Sequence, residues 1–218
     1  DHDGTVDKFI GDALMAFWNA PLDVKDHKEK AIHCGRKMFH LLAKLNNEVM
    51  DEGLEELKIG VGINSGDVVV GNMGSDQRFD YTCLGDAVNL SSRLEGQTKE
   101  YRVGIIVGEE TTKGIEDRFN FVELDKIAVK GKKEGVRIYT ILDDTSRCAN
   151  GGDVKHHDTF LSFYRKQHWN RALKMIDLNE ITYPELKGYY EMMRERIQTL
   201  RVNKPGKGWD TIYRATSK

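Results

Sequence analysis

The 218-residue sequence predicts an α+β fold followed by a small α-helical appendage. Two kinds of pattern lead to this prediction. Short apolar runs separated by Gly-containing turns predict strands, and apolar residues at helical spacing between them predict amphipathic helices. A Ser-, Gly- and Asn-containing stretch then precedes a part of the chain in which only helical patterns occur. We therefore predict a mixed domain over residues 1–144, a linker over 145–153 and a helical tail over 154–218.

Composition and charge exclude several classes of function. Residues 1–144 carry 19 Lys/Arg and 27 Asp/Glu, whereas residues 145–218 carry 14 and 8. The acidic first part argues against a nucleic-acid-binding protein, which needs a basic face. Cys34, Cys83 and Cys148 are an odd number at unrelated spacings, which indicates neither a disulfide framework nor a zinc site and is typical of the cytoplasm. No apolar run approaches the roughly 18 residues that a membrane span needs.

The first element is a predicted β-hairpin over residues 6–18, VDKFIGDALMAFW. Its Gly-Asp hinge predicts a two-residue turn with Gly first, so that Asp12 projects at the tip. A carboxylate on a rigid hairpin can hold a hard divalent cation. Gly-Asp is also ordinary turn chemistry, and these residues taken alone favour that simpler interpretation.

The next elements are a long helix over residues 26–52 and two strands over 57–65 and 67–72, with Ser65 and Gly66 as the turn between the strands. The glycines of this region are too irregular for a phosphate-binding loop, and no Lys-Ser/Thr pair follows them. We expect them to permit close approach of neighbouring backbones.

A strand-like FDYT segment then leads into an amphipathic helix, LGDAVNLSSRLE, on which Asn89 and Arg93 lie four residues apart. This spacing places both side chains on one helix face. Asn can donate to and accept from a ribose, and Arg can bind phosphate oxygens through its planar guanidinium. An exposed polar helix face without a ligand is the alternative.

The mixed domain ends with a predicted strand over 103–107, a short helix over 111–115 and a hairpin over 119–129 and 136–142. The hairpin tip, residues 130–135, is basic, and a Lys there can reach a polyphosphate or can simply be part of a charged turn. In the tail, residues 160–164 and 169–173 predict a helix pair and residues 183–200 a third helix. One such tetratricopeptide-like unit cannot bury its own apolar face, so we expect it to pack on the domain or on a partner.

Two of these motifs together resemble a known family. DKFIGDALMAF (7–17) and YTCLGDAVNLSSRLE (81–95), with IGVGINSGDVVVGNMGS (59–75) between them, resemble the catalytic domain of class III nucleotidyl cyclases, the adenylyl and guanylyl cyclases. The resemblance runs from residue 1 to about Leu142. It implies a ferredoxin-like βαββαβ-type domain and a phosphorus-oxygen lyase of cyclic-nucleotide signalling. Two Mg²⁺ or Mn²⁺ ions per site would activate the ribose 3′-hydroxyl for attack on the α-phosphate, with pyrophosphate leaving.

The resemblance also implies roles for individual residues. Asp12 corresponds to the metal-binding carboxylate of the family's hairpin. Asn89 would orient the ribose, and Arg93 would stabilise the charge that develops on the phosphate. Lys130 aligns with a Lys that contacts the nucleotide phosphates, although Lys132 and Lys133 are close enough to replace it.

Base choice in the family depends on two positions, which the resemblance places at Lys8 and Thr82. Guanylyl cyclases usually have Glu and Cys there, and one bacterial adenylyl cyclase subgroup has Lys and Thr. Cys83 is adjacent, but the fixed spacing to Asn89 puts Thr82 in register. The resemblance therefore predicts ATP as the substrate.

A second metal-binding carboxylate of the family lies in a Phe-x-Asp segment that does not occur in this chain. We therefore expect the domain to be incomplete at its N-terminus, with weak activity alone and with sensor or membrane-anchoring domains of the parent protein preceding it. The resemblance further implies a head-to-tail homodimer with two composite sites. A non-catalytic dimerising or regulatory module and a guanylyl cyclase remain alternatives, whereas the Gly-Gly-Asp/Glu-Glu-Phe signature of diguanylate cyclases is absent.

Overall fold

The structure is a computed structural model that describes residues 2–75, 78–128, 135–142 and 154–214. Among the described residues, strands and helices are mixed up to residue 142, and helices follow from residue 154. The strands are β1 (Thr5–Ile10), β2 (Ala13–Phe17), β3 (Val61–Ile63), β4 (Val69–Ser75), β5 (Arg78–Leu84), β6 (Ile105–Gly108), β7 (Asn120–Ile127) and β8 (Val136–Leu142). The helices are α1 (His27–Asp51), α2 (Asp86–Tyr101), α3 (Glu109–Thr112), α4 (Val154–Arg165), α5 (Trp169–Thr182) and α6 (Lys187–Val202).

The predicted hairpin at the start of the chain is present as β1 and β2. Gly11 takes the first turn position with a φ of +63°, in the left-handed region that favours glycine. A β-bulge interrupts the pairing nearer the start of β1, because Val6 pairs with Ala16 whereas Lys8 pairs with Met15. Asp7 is therefore the extra residue of the bulge, and a bulge redirects the side chain that it carries.

In the described part of the chain, eight strands form three sheets. β1 pairs with β2, β4 pairs with β5, and the largest sheet has the order β3-β6-β8-β7. Within it β3 and β6 are parallel, and the other pairs are antiparallel. The expectation that β3 and β4 are neighbours joined at Ser65 and Gly66 is wrong, since β3 is short and lies beside β6 instead.

The reason for this placement is the close approach of β3 to α2. A Cβ on Gly62 would lie 2.3 Å from the backbone nitrogen of Glu95 and 2.3 Å from the backbone oxygen of Ser91. The Ser91 hydroxyl also donates to the Gly62 carbonyl oxygen at 2.9 Å. Glycine thus lets the strand lie directly against the helix, which is the role that the sequence predicts for the glycines of this region.

The four-stranded sheet has helices on both faces. Ile106 of β6 faces α2 and the tail helices, whereas its neighbours Ile105 and Val107 face α1. The alternation follows from the two-residue period of a strand. The tail helices α4–α6 share one hydrophobic core with α2 and the sheet, so the tail packs on the mixed domain.

Buried polar contacts fix the tail to β7. The Arg196 guanidinium donates to the Asp125 carboxylate at 2.5 Å, and the Tyr101 hydroxyl donates to the same oxygen at 2.8 Å. Nε2 of the buried His157 lies 2.6 Å from the Glu123 carbonyl oxygen, and its Nδ1 lies 2.8 Å from the Tyr190 hydroxyl. These side chains come from both sides of the boundary predicted at residues 145–153.

The end of the described chain returns to β7. The Tyr213 N–H donates to the Lys126 carbonyl oxygen at 2.7 Å, and the Ala128 N–H donates to the Tyr213 carbonyl oxygen at 2.9 Å. Tyr213 thus forms a parallel bridge with Ile127 at the edge of the large sheet. Within the described ranges, no helix has the length and apolar character to cross a bilayer.

Candidate nucleotide site

Four polar side chains link the two small hairpins. The Thr82 hydroxyl of β5 donates a hydrogen bond to Oδ2 of Asp7 in β1. The Lys8 Nζ lies 3.3 Å from Oδ1 of the same carboxylate and 3.9 Å from Asp80 Oδ2. Asp7 thus links Lys8 to Thr82, the two positions at which the sequence predicts base recognition.

The accessibility of these groups differs in a way that suits a binding surface. The Asp7 side chain is 1% exposed, whereas the Lys8 side chain is 36% exposed. Thr82 is buried and lies opposite Gly71 of β4, which has no side chain to cover it. A buried anion thus holds an accessible ammonium and a hydroxyl at the junction of the hairpins.

Cys83 is next to Thr82 and is the alternative residue for the second base-recognition position. Successive strand residues point to opposite faces, and Cys83 is buried. Burial raises the pKa of the Cys83 thiol, and the charge of Asp7 raises it further. The structure thus places Thr82, and not Cys83, in hydrogen-bond contact with Asp7.

Asp12 lies at the tip of the first hairpin and is exposed. It makes no hydrogen bond or ion pair with any other residue that the structure describes. At about 3.3 Å per strand residue, it lies roughly 10 Å further along the hairpin than Lys8. The structure does not bring these two predicted site residues together within one chain.

Asn89 and Arg93 lie on the exposed face of α2, one turn apart as predicted. The Arg93 Nη1 is 3.4 Å from the Ala128 carbonyl oxygen, just beyond the end of β7. The predicted phosphate ligand Lys130, two residues further along the chain, lies outside the described residues.

The described residues supply only some of the ligands that a divalent cation needs. Asp12 supplies an accessible, uncommitted oxygen ligand of the kind that Mg²⁺ and Mn²⁺ prefer, and Mg²⁺ often binds one or two carboxylates together with substrate phosphates. Across the described ranges, no group of three or more His, Cys, Asp or Glu side chains could hold a metal without a ligand from elsewhere.

Asp7 is the site residue that the sequence analysis missed. Its signal in the sequence is the polar pair Asp7-Lys8 between Val6 and Phe9, which breaks the alternation of the strand. A broken alternation is typical of a bulge, where one extra residue changes the register.

A family model described as the adenylate and guanylate cyclase catalytic domain matches residues 3–143 of the chain. The chain belongs to this family. The match ends one residue after β8, so the tail helices lie outside the cyclase domain that the family model defines.

Relatives of the cyclase domain include two bacterial proteins and one eukaryotic protein. It is 35% identical over 141 residues to adenylate cyclase 1 of Rhizobium meliloti, covering 65% of this chain and 21% of the relative. It is 37% identical over 145 residues to adenylate cyclase of Anabaena cylindrica, covering 63% and 28%. The terminal-differentiation-specific adenylate cyclase of Dictyostelium discoideum is 31% identical over 212 residues, covering 93% of this chain and 10% of that protein. That last alignment includes most of the tail helices, and the chain spans less than a third of each relative's length.

Solved structures of the same fold include both kinds of nucleotidyl cyclase. The adenylyl cyclase CyaB from P. aeruginosa is 36% identical with a TM-score of 0.58, covering 65% of this chain and 73% of that chain. The guanylyl cyclase Cya2 is 32% identical with a TM-score of 0.58, covering 67% and 74%. The predicted cyclase fold is therefore confirmed.

Proposed function

We propose that the cyclase domain converts ATP to 3′,5′-cyclic AMP and pyrophosphate in cyclic-nucleotide signalling. The family, the adenylate cyclase relatives and the pair Lys8 and Thr82 support this proposal. The observation that carries it is the contact of both residues with one buried carboxylate, because this contact joins two predicted base-binding groups from different hairpins at a single place.

The proposed roles of the site residues are those that the resemblance to the family implies. Lys8 donates to the adenine ring, and Thr82 binds its exocyclic amine. Asn89 orients the ribose, and Arg93, one helical turn away, stabilises charge on the transferring phosphate. Lys130 would neutralise the leaving pyrophosphate.

A divalent cation is part of the proposal. Asp12 would hold Mg²⁺ or Mn²⁺ together with phosphate oxygens of the substrate, and the ion would supply Lewis-acid stabilisation and lower the pKa of the attacking hydroxyl. A second ion would need the second carboxylate of the family, which no Phe-x-Asp segment in the sequence provides. Slow turnover by this chain alone is the consequence.

A head-to-tail homodimer completes the proposed site. Asp12 projects away from Lys8 of its own chain, so the hairpin tip of a second copy is suited to reach the base-binding residues. Large apolar side chains on both hairpins are exposed, including Phe9 at 76%, Val69 at 65% and Phe79 at 60%. Their exposure supports this arrangement, since exposed apolar patches of this kind mark interaction sites.

The proposal locates the domain in the cytoplasm, where ATP is available and free thiols are usual. Cys34 and Cys83 are free cysteines of the described chain.

Nucleotide binding tests the proposal independently of turnover. A fluorescent ATP analogue is titrated into the chain with and without Mn²⁺, and we expect saturable binding that strengthens at least tenfold with the metal. Asp12→Asn removes this metal dependence, whereas Asp51→Asn, at an exposed position on α1, keeps it. Equal binding with and without Mn²⁺ would instead favour the non-catalytic module. That module is the second candidate because no group of three or more possible metal ligands occurs among the described residues.

Product analysis then tests the reaction. Mass spectrometry of reactions with Mn-ATP or Mn-GTP is expected to detect slow formation of cyclic AMP in preference to cyclic GMP. Supplying the Phe-x-Asp segment of the family ahead of residue 1 is expected to increase the rate. Preferential formation of cyclic GMP would make the protein a guanylyl cyclase, as Cya2 is.

A further inference from the structure

We propose that Asp7 is a positioning residue that selects ATP over GTP by fixing the direction of the hydrogen bond that Thr82 makes with the base. This inference rests on the proposed adenylyl cyclase function and adds a residue to it. The residue is inaccessible to the nucleotide and acts through two neighbours, Thr82 and Lys8.

The bulge in β1 aims the Asp7 carboxylate at both neighbours. Without the extra residue, Asp7 would pair with a residue of β2, and its side chain would follow the alternation of the strand. Oδ2 accepts the Thr82 hydroxyl, and Oδ1 faces the Lys8 ammonium at 3.3 Å. Oδ1 is buried and has the Lys8 ion pair but no hydrogen-bond partner among the described residues.

The direction of the hydrogen bond between Thr82 and Asp7 is set by charge. An ionised carboxylate can only accept, so the single hydroxyl proton of Thr82 is committed to Asp7. The reverse direction would require a protonated Asp7 beside the ammonium of Lys8. The Thr82 oxygen therefore presents only lone pairs to a ligand.

Adenine and guanine differ at the atoms that such a pair of groups would meet. The 6-amino group of adenine donates, whereas O6 of guanine accepts. A Thr82 oxygen without a free proton can accept from adenine and has nothing to donate to guanine. Lys8, which only donates, suits the unprotonated N1 of adenine and repels the N1–H of guanine. The buried carboxylate thus sets the polarity of Thr82, and it lies beside the Lys8 ammonium, whose own donors already favour adenine.

Substitution of Asp7 by its amide tests the inference with little change in shape. The Asn side chain of Asp7→Asn can donate as well as accept, so Thr82 regains a proton for O6 of guanine. We expect the ratio of affinities for fluorescent ATP and GTP analogues, measured with Mn²⁺, to fall about tenfold, mainly through tighter GTP binding. Asp7→Glu, whose carboxylate only accepts, is expected to retain more of the ratio.

Two further variants separate this mechanism from general damage. Asp80→Asn alters the exposed carboxylate that lies 3.9 Å from Lys8, and we expect it to change the ratio less than twofold. In a Thr82→Val background, which has no hydroxyl to orient, Asp7→Asn should have only a small effect on the ratio. If Asp7→Asn changes the affinity ratio equally in the unaltered protein and in the Thr82→Val background, the inference is overturned.

A measurement on the unaltered protein covers the case in which the Asp7 variants do not fold. Inosine triphosphate has the O6 and N1–H of guanine but lacks the 2-amino group, so we expect it to bind as weakly as GTP. Inosine triphosphate that binds as tightly as ATP would refute the role of Asp7. Failure of the unaltered protein to bind ATP with metal dependence, or its preference for GTP, would instead refute the proposed function.

Discussion

Replacement of Arg196 by Met should destabilise the fold strongly, because Arg196 is the cation of a buried ion pair. The guanidinium donates to Asp125 at 2.5 Å and stacks 3.9 Å from the ring centroid of Tyr213 and 5.3 Å from that of Tyr101. The two charged side chains are 11% and 2% exposed. Burial raises the pKa of Asp125, whereas Arg196 and two hydrogen bonds, from the Lys126 N–H and the Tyr101 hydroxyl, lower it.

The magnitude follows from what the substitution leaves behind. Met fills much of the space of Arg but leaves the Asp125 carboxylate buried without a cation. Removal of one partner of a buried ion pair costs about 3–5 kcal/mol. This is a large share of the roughly 5–15 kcal/mol that stabilises a typical domain.

Urea unfolding measures the change. Far-ultraviolet circular dichroism follows the whole chain, and tryptophan fluorescence includes Trp169 and Trp209, whose ring centroids lie 5.9 Å apart in the tail. Arg102→Met is the matched control, because Arg102 also links the cyclase domain to α6 but does so through exposed ion pairs with Glu191 and Glu195. Solvent screens such pairs, so the control should lose less than about 1 kcal/mol.

The double variant Arg196→Met with Asp125→Leu tests whether the buried, unpaired carboxylate causes the loss of stability. Replacing both charges by apolar groups removes the unpaired carboxylate, and the cost should fall below that of Arg196→Met alone. A loss of less than about 1 kcal/mol in the single variant, or additive losses in the double variant, would show that the pair does not act as described.

The other predictions concern pH and packing. Burial lowers the pKa of His157 to about 4 from an ordinary value near 6.5, so the unfolded chain binds a proton that the folded chain excludes. The contribution of His157 to the free energy of unfolding is therefore complete above pH 6.5 and should decrease by about 2 kcal/mol between pH 8 and pH 5. His156→Gln, at an exposed position, should keep this pH dependence. Urea midpoints that shift with pH no more in the unaltered chain than in His157→Gln would contradict it. Gly62→Ala should destabilise the fold by about 1–3 kcal/mol, because its Cβ would lie 2.3 Å from the backbone of α2. Gly71→Ala is the control, since a Cβ there would meet nothing within 4 Å. Equal melting temperatures for the two variants would contradict that packing.

Local patterns in the sequence predicted most of the elements. The hairpin with Gly11 in its turn, the two long helices and the three tail helices all formed, since periodicity and turn chemistry specify such elements locally. The partner of β3 was not predictable in this way. Its place beside β6 depends on contact with α2, which lies some thirty residues later in the chain.

The residues of the candidate site also differ in whether local sequence or a long-range contact reveals them. Lys8, Thr82, Asp12, Asn89 and Arg93 were found through motifs, which record residue types at fixed spacing. Asp7 was missed because its role depends on a bulge and on a contact between residues 75 positions apart. The roles of all six residues remain predictions that the proposed experiments test.

The hydrophobic core that α2 shares with α4–α6 determines where this protein can be truncated. A chain ended at residue 143, where the family model ends, would uncover Leu124 and Ile138, both fully buried in the whole chain. It would also lose Arg196 and the Tyr213 bridge that pairs with the edge of β7. We expect such a truncated chain to aggregate, so a boundary set by homology would be a poor guide to what can be expressed.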